Sequence, residues 1–542
     1  MPPHRNAYRP VVTGLRGVVT SAHPLASLAG VQILLQGGNA VDAAVAVASS
    51  LNVVEPYMSG FGGIGLMLVN DARTQKRYLL DFVGPAPQSA DPARATADEL
   101  LGGPKACVVP GNPAGWLAAL ERFGVMPRQT VLAPAIRMAE EGTPLTWKNA
   151  DFFEKGQETL KRSAEAQRIF LDGAPRSGKV IAQPELANTY RQLAEGGAEA
   201  FYRGPIGRKI CDGVQAAGGW LSTADLAAYQ PVWREPLKTT FREYHLHTVP
   251  LPHCSFQIPA TLKILEGYDL TGWGHNSADY LHHVIEAIKL ATADRLAYAP
   301  RADERIIAGM LSNAYAASQR ARIDPQQANV SEGERFDPTP LPNQLSAGNP
   351  ADFPHEHTTR FACADGMGNV VTVTQTLGNV FGSGFAPPGT GVLLNNLLFW
   401  TDLHPESPYR LQGGKQPAAQ MMMSPTQITA QGQFYMSIGT PGSYGILHTT
   451  SQMILNALVF GMNIQEAIEA PRVRLYRDRA VDIEGRVPES VRAELVRRGH
   501  QLNTLDEWSW VVGGGQGIMR DLQSGALQGG ADPRRDGYSI AL

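Results

Sequence analysis

Residues 357–376 read as two strand-like runs closed by a glycine-rich turn, and they stand where the chain changes from helical to strand-like patterning. The first run is His357-Thr358-Thr359-Arg360-Phe361-Ala362-Cys363-Ala364. The turn is Asp365-Gly366-Met367-Gly368-Asn369, and the second run is Val370-Val371-Thr372-Val373-Thr374-Gln375-Thr376. With the turn centred near Met367, Thr358 falls opposite Thr376, so two hydroxyls meet at the open end of the hairpin. Threonine is a good strand former, and the pair by itself also fits an ordinary threonine-rich edge.

The surroundings sharpen this picture. Upstream, from about 85 to 350, apolar residues recur at helical spacing, most clearly over 131–141, 183–196, 204–217, 223–228 and 278–298. Between 325 and 357 the chain is polar and proline-rich without apolar periodicity, as expected of an exposed, mobile connector. After Thr358 strands are expected at 359–364, 370–376, 390–394, 426–429, 433–438 and 513–519, with a helix at 447–460. Near the N-terminus, residues 30–50 predict a helix-turn-helix whose second member is capped around Gly37-Gly38-Asn39. Gly60-Phe61-Gly62-Gly63-Ile64-Gly65 then leads into a buried strand, not a helix, which argues against a nucleotide-binding loop. Gly513-Gly514-Gly515-Gln516-Gly517 lacks the lysine and helix of a phosphate loop and reads as a turn.

Composition excludes several function classes. The 542 residues are 43% apolar and 18% charged, which suits a large buried core, and 56 glycines with 39 prolines remain far below low-complexity levels. A net charge of −3 offers no basic field for nucleic acid or an anionic membrane. Residues 1–20 hold no apolar signal core, and no apolar run reaches membrane-spanning length, so a cytoplasmic location is expected. Cys107, Cys211, Cys254 and Cys363 are scattered and read as buried thiols. Neither His282-His283 nor His245-x-His247 is accompanied in sequence by a carboxylate cluster, and no metal is expected.

The hairpin, with its Thr-Thr pair, Asp365-Gly366-Met367-Gly368-Asn369 and Thr374-Gln375-Thr376-Leu377, resembles the start of the small subunit of γ-glutamyltransferases. Similar motifs follow in family order: Phe381-Gly382-Ser383-Gly384, Gly391-Val392-Leu393-Leu394-Asn395-Asn396, Met423-Ser424-Pro425-Thr426, Gly439-Thr440-Pro441-Gly442-Ser443 and Ala531-Asp532-Pro533-Arg534. Upstream, Gly37 to Ala44, Val109-Pro110-Gly111, Phe201-Tyr202-Arg203-Gly204, Asp225 to Tyr229 and Ala293-Asp294-Arg295 extend the resemblance over nearly the whole chain.

The resemblance implies an αββα four-layer sandwich of the N-terminal-nucleophile hydrolases, with two stacked, mainly antiparallel sheets. It also implies a proenzyme that cuts itself between His357 and Thr358 into pieces of 357 and 185 residues. The fragments 1–357 and 358–542 would stay together as one interlocked domain, and the resemblance also allows a homodimer of such pairs. Thr358 would then be the catalytic nucleophile, and its freed α-amine, with an ordinary pKa of about 7.7–8.0, would serve as its base. Thr376 would orient the nucleophile, and the backbone N–H groups of Gly442 and Ser443 would hold the oxyanion. Asn395 and Asn396 would support the loop around the pocket. Neither cofactor nor metal is implied.

Several substrate positions depart from the family pattern. An arginine expected after Leu80-Asp81-Phe82 is Val83, an asparagine expected beyond Thr376 is Gly378, a glutamine and an acid give way within Leu397-Leu398-Phe399-Trp400, and two serines become Met421 and Met422. A lining of Val83, Leu397, Trp400, Met421 and Met422 cannot pair a buried amino-acid headgroup, whose unpaired charges cost several kcal/mol. The expected substrate is therefore a small amide with a less zwitterionic acyl group. The alternatives are true γ-glutamyl transfer or glutathione hydrolysis, and an unprocessed binding homologue. Arg360, His404, Arg410 and Lys415 are candidate substitute carboxylate anchors, although each also fits a solvated surface charge.

Overall fold

A computed structural model describes residues 7–330, 357–418, 421–476 and 479–542. The connector expected at 325–357 lies almost wholly outside the described residues. Two compact units result, and each draws on both sides of the expected 357/358 cut: one holds residues within 21–234 and 337–418, the other residues within 1–20, 235–336 and 419–542. Cutting at that bond therefore leaves each unit built from both fragments.

In the unit that carries Thr358, strands His357–Asp365, Val370–Gly378, Ile64–Asp71, Lys76–Asp81 and Val232–Arg234 are neighbours in that order, all antiparallel. The hairpin keeps the expected register from Thr359↔Gln375 to Ala364↔Val370, then slips by one so that His357 faces Gly378. Strand Val370–Gly378 is buried throughout because it has a partner on each side. One face, with Thr359 and Gln375, lies against helix Ala40–Val54.

That helix forms because alanine and valine dominate it and its first turn is doubly capped. Asn39 Oδ1 accepts from the Val41 and Asp42 N–H groups, and Asp42 Oδ2 accepts from Asn39 N–H at 2.9 Å. Beneath it Phe61 packs against Tyr190, Phe201 and Trp116 at centroid separations of 5.0, 5.4 and 6.1 Å.

In the other unit seven antiparallel strands run in the order Val12–Gly14, Leu527–Ala531, Gln516–Arg520, Gln433–Gly439, Gln427–Ala430, Tyr244–Thr248 and Leu237–Phe241. Helices Gly445–Leu458, Gln257–Leu265 and Ala278–Tyr298 belong to the same unit. Arg472 and Arg534 pair with Asp532 and Glu484 entirely out of solvent. Against its desolvation, Arg534 and Arg472 hold the Asp532 carboxyl down to about 2.

Most expected helices and strands are present within a few residues. The strand expected at 390–394 is not: it is irregular apart from one bridge, Gly62↔Leu394. Gly389 and Gly391 both take positive φ, and a side chain at 391 would strike the Leu186 backbone at 2.3 Å, so this glycine serves a close approach and not a ladder.

The His282-His283 pair is expected to have no accompanying carboxylate cluster, and the fold sets Glu286 and the distant His500 beside it. His282, Glu286 and His500 bring one ligand atom each within 4.8 Å of one another. Lys289 Nζ donates to Glu286 Oε1 at 2.8 Å, and His282 Nδ1 and His500 Nε2 share a 2.9 Å hydrogen bond, so the atoms that face one another are already hydrogen-bonded. His282 Nε2 donates to the Asp324 carbonyl at 2.8 Å, which leaves Nδ1 to accept from neutral His500. Burial, then the charges of Lys289, His282, Arg498 and Arg479, push His500 down to about 3. Below pH ~6.5 the unfolded chain takes up a proton that folded His500 refuses, so stability falls with pH from ~6.5 towards 3, at about 1.4 kcal/mol per pH unit. Urea unfolding should show a loss of about 2–3 kcal/mol between pH 6.5 and 4.5 from this residue, and His500→Gln should flatten the slope. Equal slopes for the two proteins would refute this assignment.

Candidate active site

Thr358 and Thr376 come together at the open end of the hairpin. Thr358 Oγ1 donates to Thr376 Oγ1 at 3.3 Å, and Thr376 Oγ1 also accepts from the Gly378 N–H at 2.9 Å. Both side chains are buried, at 5% and 3% exposure, which removes competing water from the pair. The backbone slip between His357 and Thr359 falls on the bond expected to break, where the ladder no longer constrains the chain.

The opposite face fixes the hairpin through polar contacts. Thr359 Oγ1 donates to Glu55 Oε2 at 3.0 Å, and Glu55 ends helix Ala40–Val54 as its C-cap. Gln375 Nε2 donates to the Ala48 carbonyl at 3.0 Å and to Asn52 Oδ1 at 3.1 Å. At the turn, Asp365 Oδ2 accepts from the Ala40 N–H at 3.0 Å, the first residue of the same helix. Glu55 was not legible as a site residue, since nothing in the sequence ties it to a threonine 304 positions away.

The positions of this unit that are expected to meet substrate lie around the same end of the sheet. Thr376 faces Ile64 and Leu66 faces Asp81, so Val83 follows towards the Thr358 row, about 14 Å away across three strand spacings. Asp81 is spent on Arg234 Nε and Gln416 Nε2, each at 3.0 Å, and Gln416 also donates to the Val83 carbonyl at 2.8 Å. Leu397–Trp400 is a short 3-10 turn, joined to the hairpin by the Asn396 N–H, which donates to the Leu377 carbonyl at 2.9 Å. Asn395 is committed to structure, donating to the Gly62 and Val108 carbonyls and accepting from the Val108 and Leu397 N–H groups.

Arg360, a candidate surface charge, is instead fully buried on the nucleophile's strand, and desolvation lowers its pKa to about 9. Arg410 and Lys415 are exposed and His404 is half-buried.

Gly442, Ser443, Met421 and Met422 belong to the other unit. Gly442 and Ser443 take φ of 128° and 57° and lead into helix Gly445–Leu458, so their N–H groups stand in a turn at the positive end of a 14-residue helix. Thr440 Oγ1 accepts from the Gly514 N–H at 2.8 Å, and the expected glycine turn at 513–515 thereby braces this one. Met421 and Met422 are buried, and Cys254 Sγ donates to the Met421 carbonyl at 3.1 Å.

The family model for γ-glutamyltranspeptidase matches residues 26–542. The chain belongs to the γ-glutamyltranspeptidase family. An acylase ACY 1 proenzyme from Pseudomonas sp. (strain V22) is 36% identical over 98% of this chain and 94% of the relative. The glutathione hydrolase proenzyme of Bacillus subtilis (strain 168) is 32% identical over 100% and 94%. Among solved structures, a cephalosporin acylase from Bacillus halodurans superimposes with a TM-score of 0.87 at 31% identity, covering 100% of this chain and 98% of the other. The expected fold class is therefore present: helices with two mainly antiparallel sheets, as in the N-terminal-nucleophile hydrolases. The protein is an N-terminal threonine hydrolase that acts on amide bonds.

Gly378 leaves no room for the asparagine that the resemblance to the γ-glutamyltranspeptidase family leads us to expect near this position. It has φ of 103°, and a Cβ there would lie 2.1 Å from Asn396 Oδ1. That oxygen accepts from the Asn379 N–H at 3.0 Å, while Asn396 Nδ2 donates to the Leu101 carbonyl at 2.8 Å. Gly378→Asn should cost about 3 kcal/mol or more, from displaced buried hydrogen bonds and the positive φ. A lower unfolding midpoint without gain of γ-glutamyl anilide turnover is the expected result; an unchanged midpoint would show that the clash is relieved.

Proposed function

We propose that this enzyme cuts itself before Thr358 and then hydrolyses small amides whose acyl group lacks a free amino-acid headgroup. The observation that carries the reading is the Thr358–Thr376 hydroxyl pair, buried at the end of a hairpin whose other face is pinned. In maturation the Thr358 hydroxyl attacks the His357 carbonyl carbon, the peptide nitrogen leaves with the proton, and water hydrolyses the resulting ester. The His357 carboxylate and the free Thr358 amine and hydroxyl are the products. In turnover that amine takes the hydroxyl proton as Oγ1 attacks the substrate carbonyl, and passes it to the departing amine. Water then releases the acid from the threonyl ester. Thr376 keeps the hydroxyl aimed, while Gly442 and Ser443 donate to the carbonyl oxygen as it becomes an oxyanion.

Specificity is read from each unit by itself. Beside Thr358, Val83, Leu397 and Trp400 are apolar and buried and Asp81 already has its partners; in the other unit Met421 and Met422 are likewise apolar and buried. A zwitterionic headgroup would lose water without gaining ion pairs, whereas a dicarboxylic monoamide or side-chain acyl amide brings less charge to bury. Two of the relatives described above are acylases, which supports this choice. The similarity to a glutathione hydrolase keeps γ-glutamyl chemistry as the competing outcome.

Denaturing electrophoresis should show the 58.4 kDa chain replaced by fragments of about 39 and 20 kDa, the shorter beginning at Thr358. Thr358→Ala should remain uncut and inactive, and Thr376→Val should slow turnover by about 10²-fold, the lower end for a proton-handling partner. A panel of amides should favour monoamides over γ-glutamyl anilide. Rapid release from the anilide would overturn the specificity, and a fragment starting elsewhere would overturn the site.

A further inference from the structure

We propose that Arg474 is a positioning residue for the Gly442–Ser443 turn, and that its buried charge strengthens that turn's hold on the developing oxyanion. The inference rests on the role assigned above to Gly442 and Ser443.

Arg474 lies in strand Val473–Leu475 and is 4% exposed. Its guanidinium stacks over the ring of Tyr444, the residue that follows Ser443, at 4.2 Å from the centroid. A side chain at Gly445, the first residue of helix Gly445–Leu458, would lie 3.2 Å from Arg474 Cδ and Nε, so the arginine fills the space that this glycine leaves. Its Nη1 donates to the Val511 carbonyl at 3.0 Å. Two residues further on, Gly513 would drive a side chain to 2.1 Å from Thr440 Oγ1, and Gly514 N–H donates to that same oxygen. One side chain therefore supports the turn from both ends: through Tyr444 and Gly445 after it, and through residues 511–514 packed against Thr440 before it.

Against its desolvation, the tyrosines at 444 and 476 and Asp482, its cross-strand neighbour, favour the charge, but Asp482 also accepts from Asn503 Nδ2 at 2.7 Å. The arginine lies 5.5 Å from the Tyr476 ring centroid, and among the described residues its Nε has no hydrogen-bond partner. A cation at a helix N-terminus opposes the helix dipole, so these neighbours offset a cost that an uncharged side chain would not bring. Beside N–H groups that must hold negative charge, the same cation acts in their favour, and weak screening in a buried site extends its reach over several ångströms.

The test compares Arg474→Met, which keeps bulk without charge, with Arg474→Lys, which keeps charge without the planar fork. The methionine protein should lose about tenfold or more in kcat with KM within about twofold, less than the 10²–10³ typical of a missing oxyanion donor, and the lysine protein should recover most of it. A boronic acid that forms a tetrahedral anion on Thr358 should weaken in parallel with kcat/KM, while binding of an uncharged amide substrate to a Thr358→Ala protein should not change. Self-cleavage, which forms the same kind of oxyanion, should slow in the same order. A purely structural arginine would lower the unfolding midpoint and leave kcat per folded enzyme unchanged; that result, or lysine no better than methionine, overturns the proposal. Should the methionine protein not fold, Arg474→Gln against Arg474→Lys decides it by the same boronate readout. Wild-type protein that does not cut before Thr358 overturns the parent reading as well, whereas active wild type with indifferent variants overturns this inference alone.

Discussion

The placing of Thr358, the proposed nucleophile, depends on the way helix Ala40–Val54 is fastened to the strand that carries it. Fifteen helical residues span about 22 Å, close to the length of the strand beside them. Asp365 accepts from the helix's first N–H, and Glu55 at its other end accepts from Thr359. Between these clamps Gln375 reaches the helix backbone from the second strand of the hairpin. An acyl-transfer nucleophile must be held within a fraction of an ångström of its attack line, and a strand edge alone does not give that precision. Buried hydrogen bonds at both ends of a rigid helix do, because breaking any one of them leaves a polar group stranded.

Against this fixed frame, the residues proposed to meet the acyl group are apolar or small: Val83, Gly378, Leu397 and Trp400 in the unit that carries Thr358, and Met421 and Met422 in the other. Gly378 illustrates how such a small residue becomes built in: the Asn396 side chain occupies the space, with both ends of its amide bonded. Specificity in such a site is changed by coupled sets of residues, since each altered side chain sets the space and partners of the next.

The hairpin, its register and the helices either side of it were legible because their signals are local: alternation, turn glycines, caps and helical spacing act within a few residues. The 390–394 segment misled because Gly391 and its apolar neighbours look like a buried strand, whereas the glycine is there to let Leu186 approach. Arg360 misled in the other direction. A lone arginine in a strand reads as a surface charge, but here its strand is covered on both faces and the guanidinium is fully buried. The histidine pair at 282–283 showed no carboxylate cluster in its sequence pattern; the single Glu286 lies one helical turn on, and only the fold brings His500, 218 positions away from His282, to the same place.

The amino-acid order by itself determined the hairpin at 357–376, which of its strands faces which, and the family to which the chain belongs. These follow from short-range pattern and from motifs that keep their order along the chain. Only the tertiary structure decided that Glu55 and Asp365 hold the hairpin, that Gln416 and Arg234 occupy Asp81 beside Val83, and that Arg474 sits against the Gly442–Ser443 turn. The physical reason is the same in each case: hydrogen bonds and burial join groups that are dozens to hundreds of positions apart, and no local propensity encodes which of them will meet.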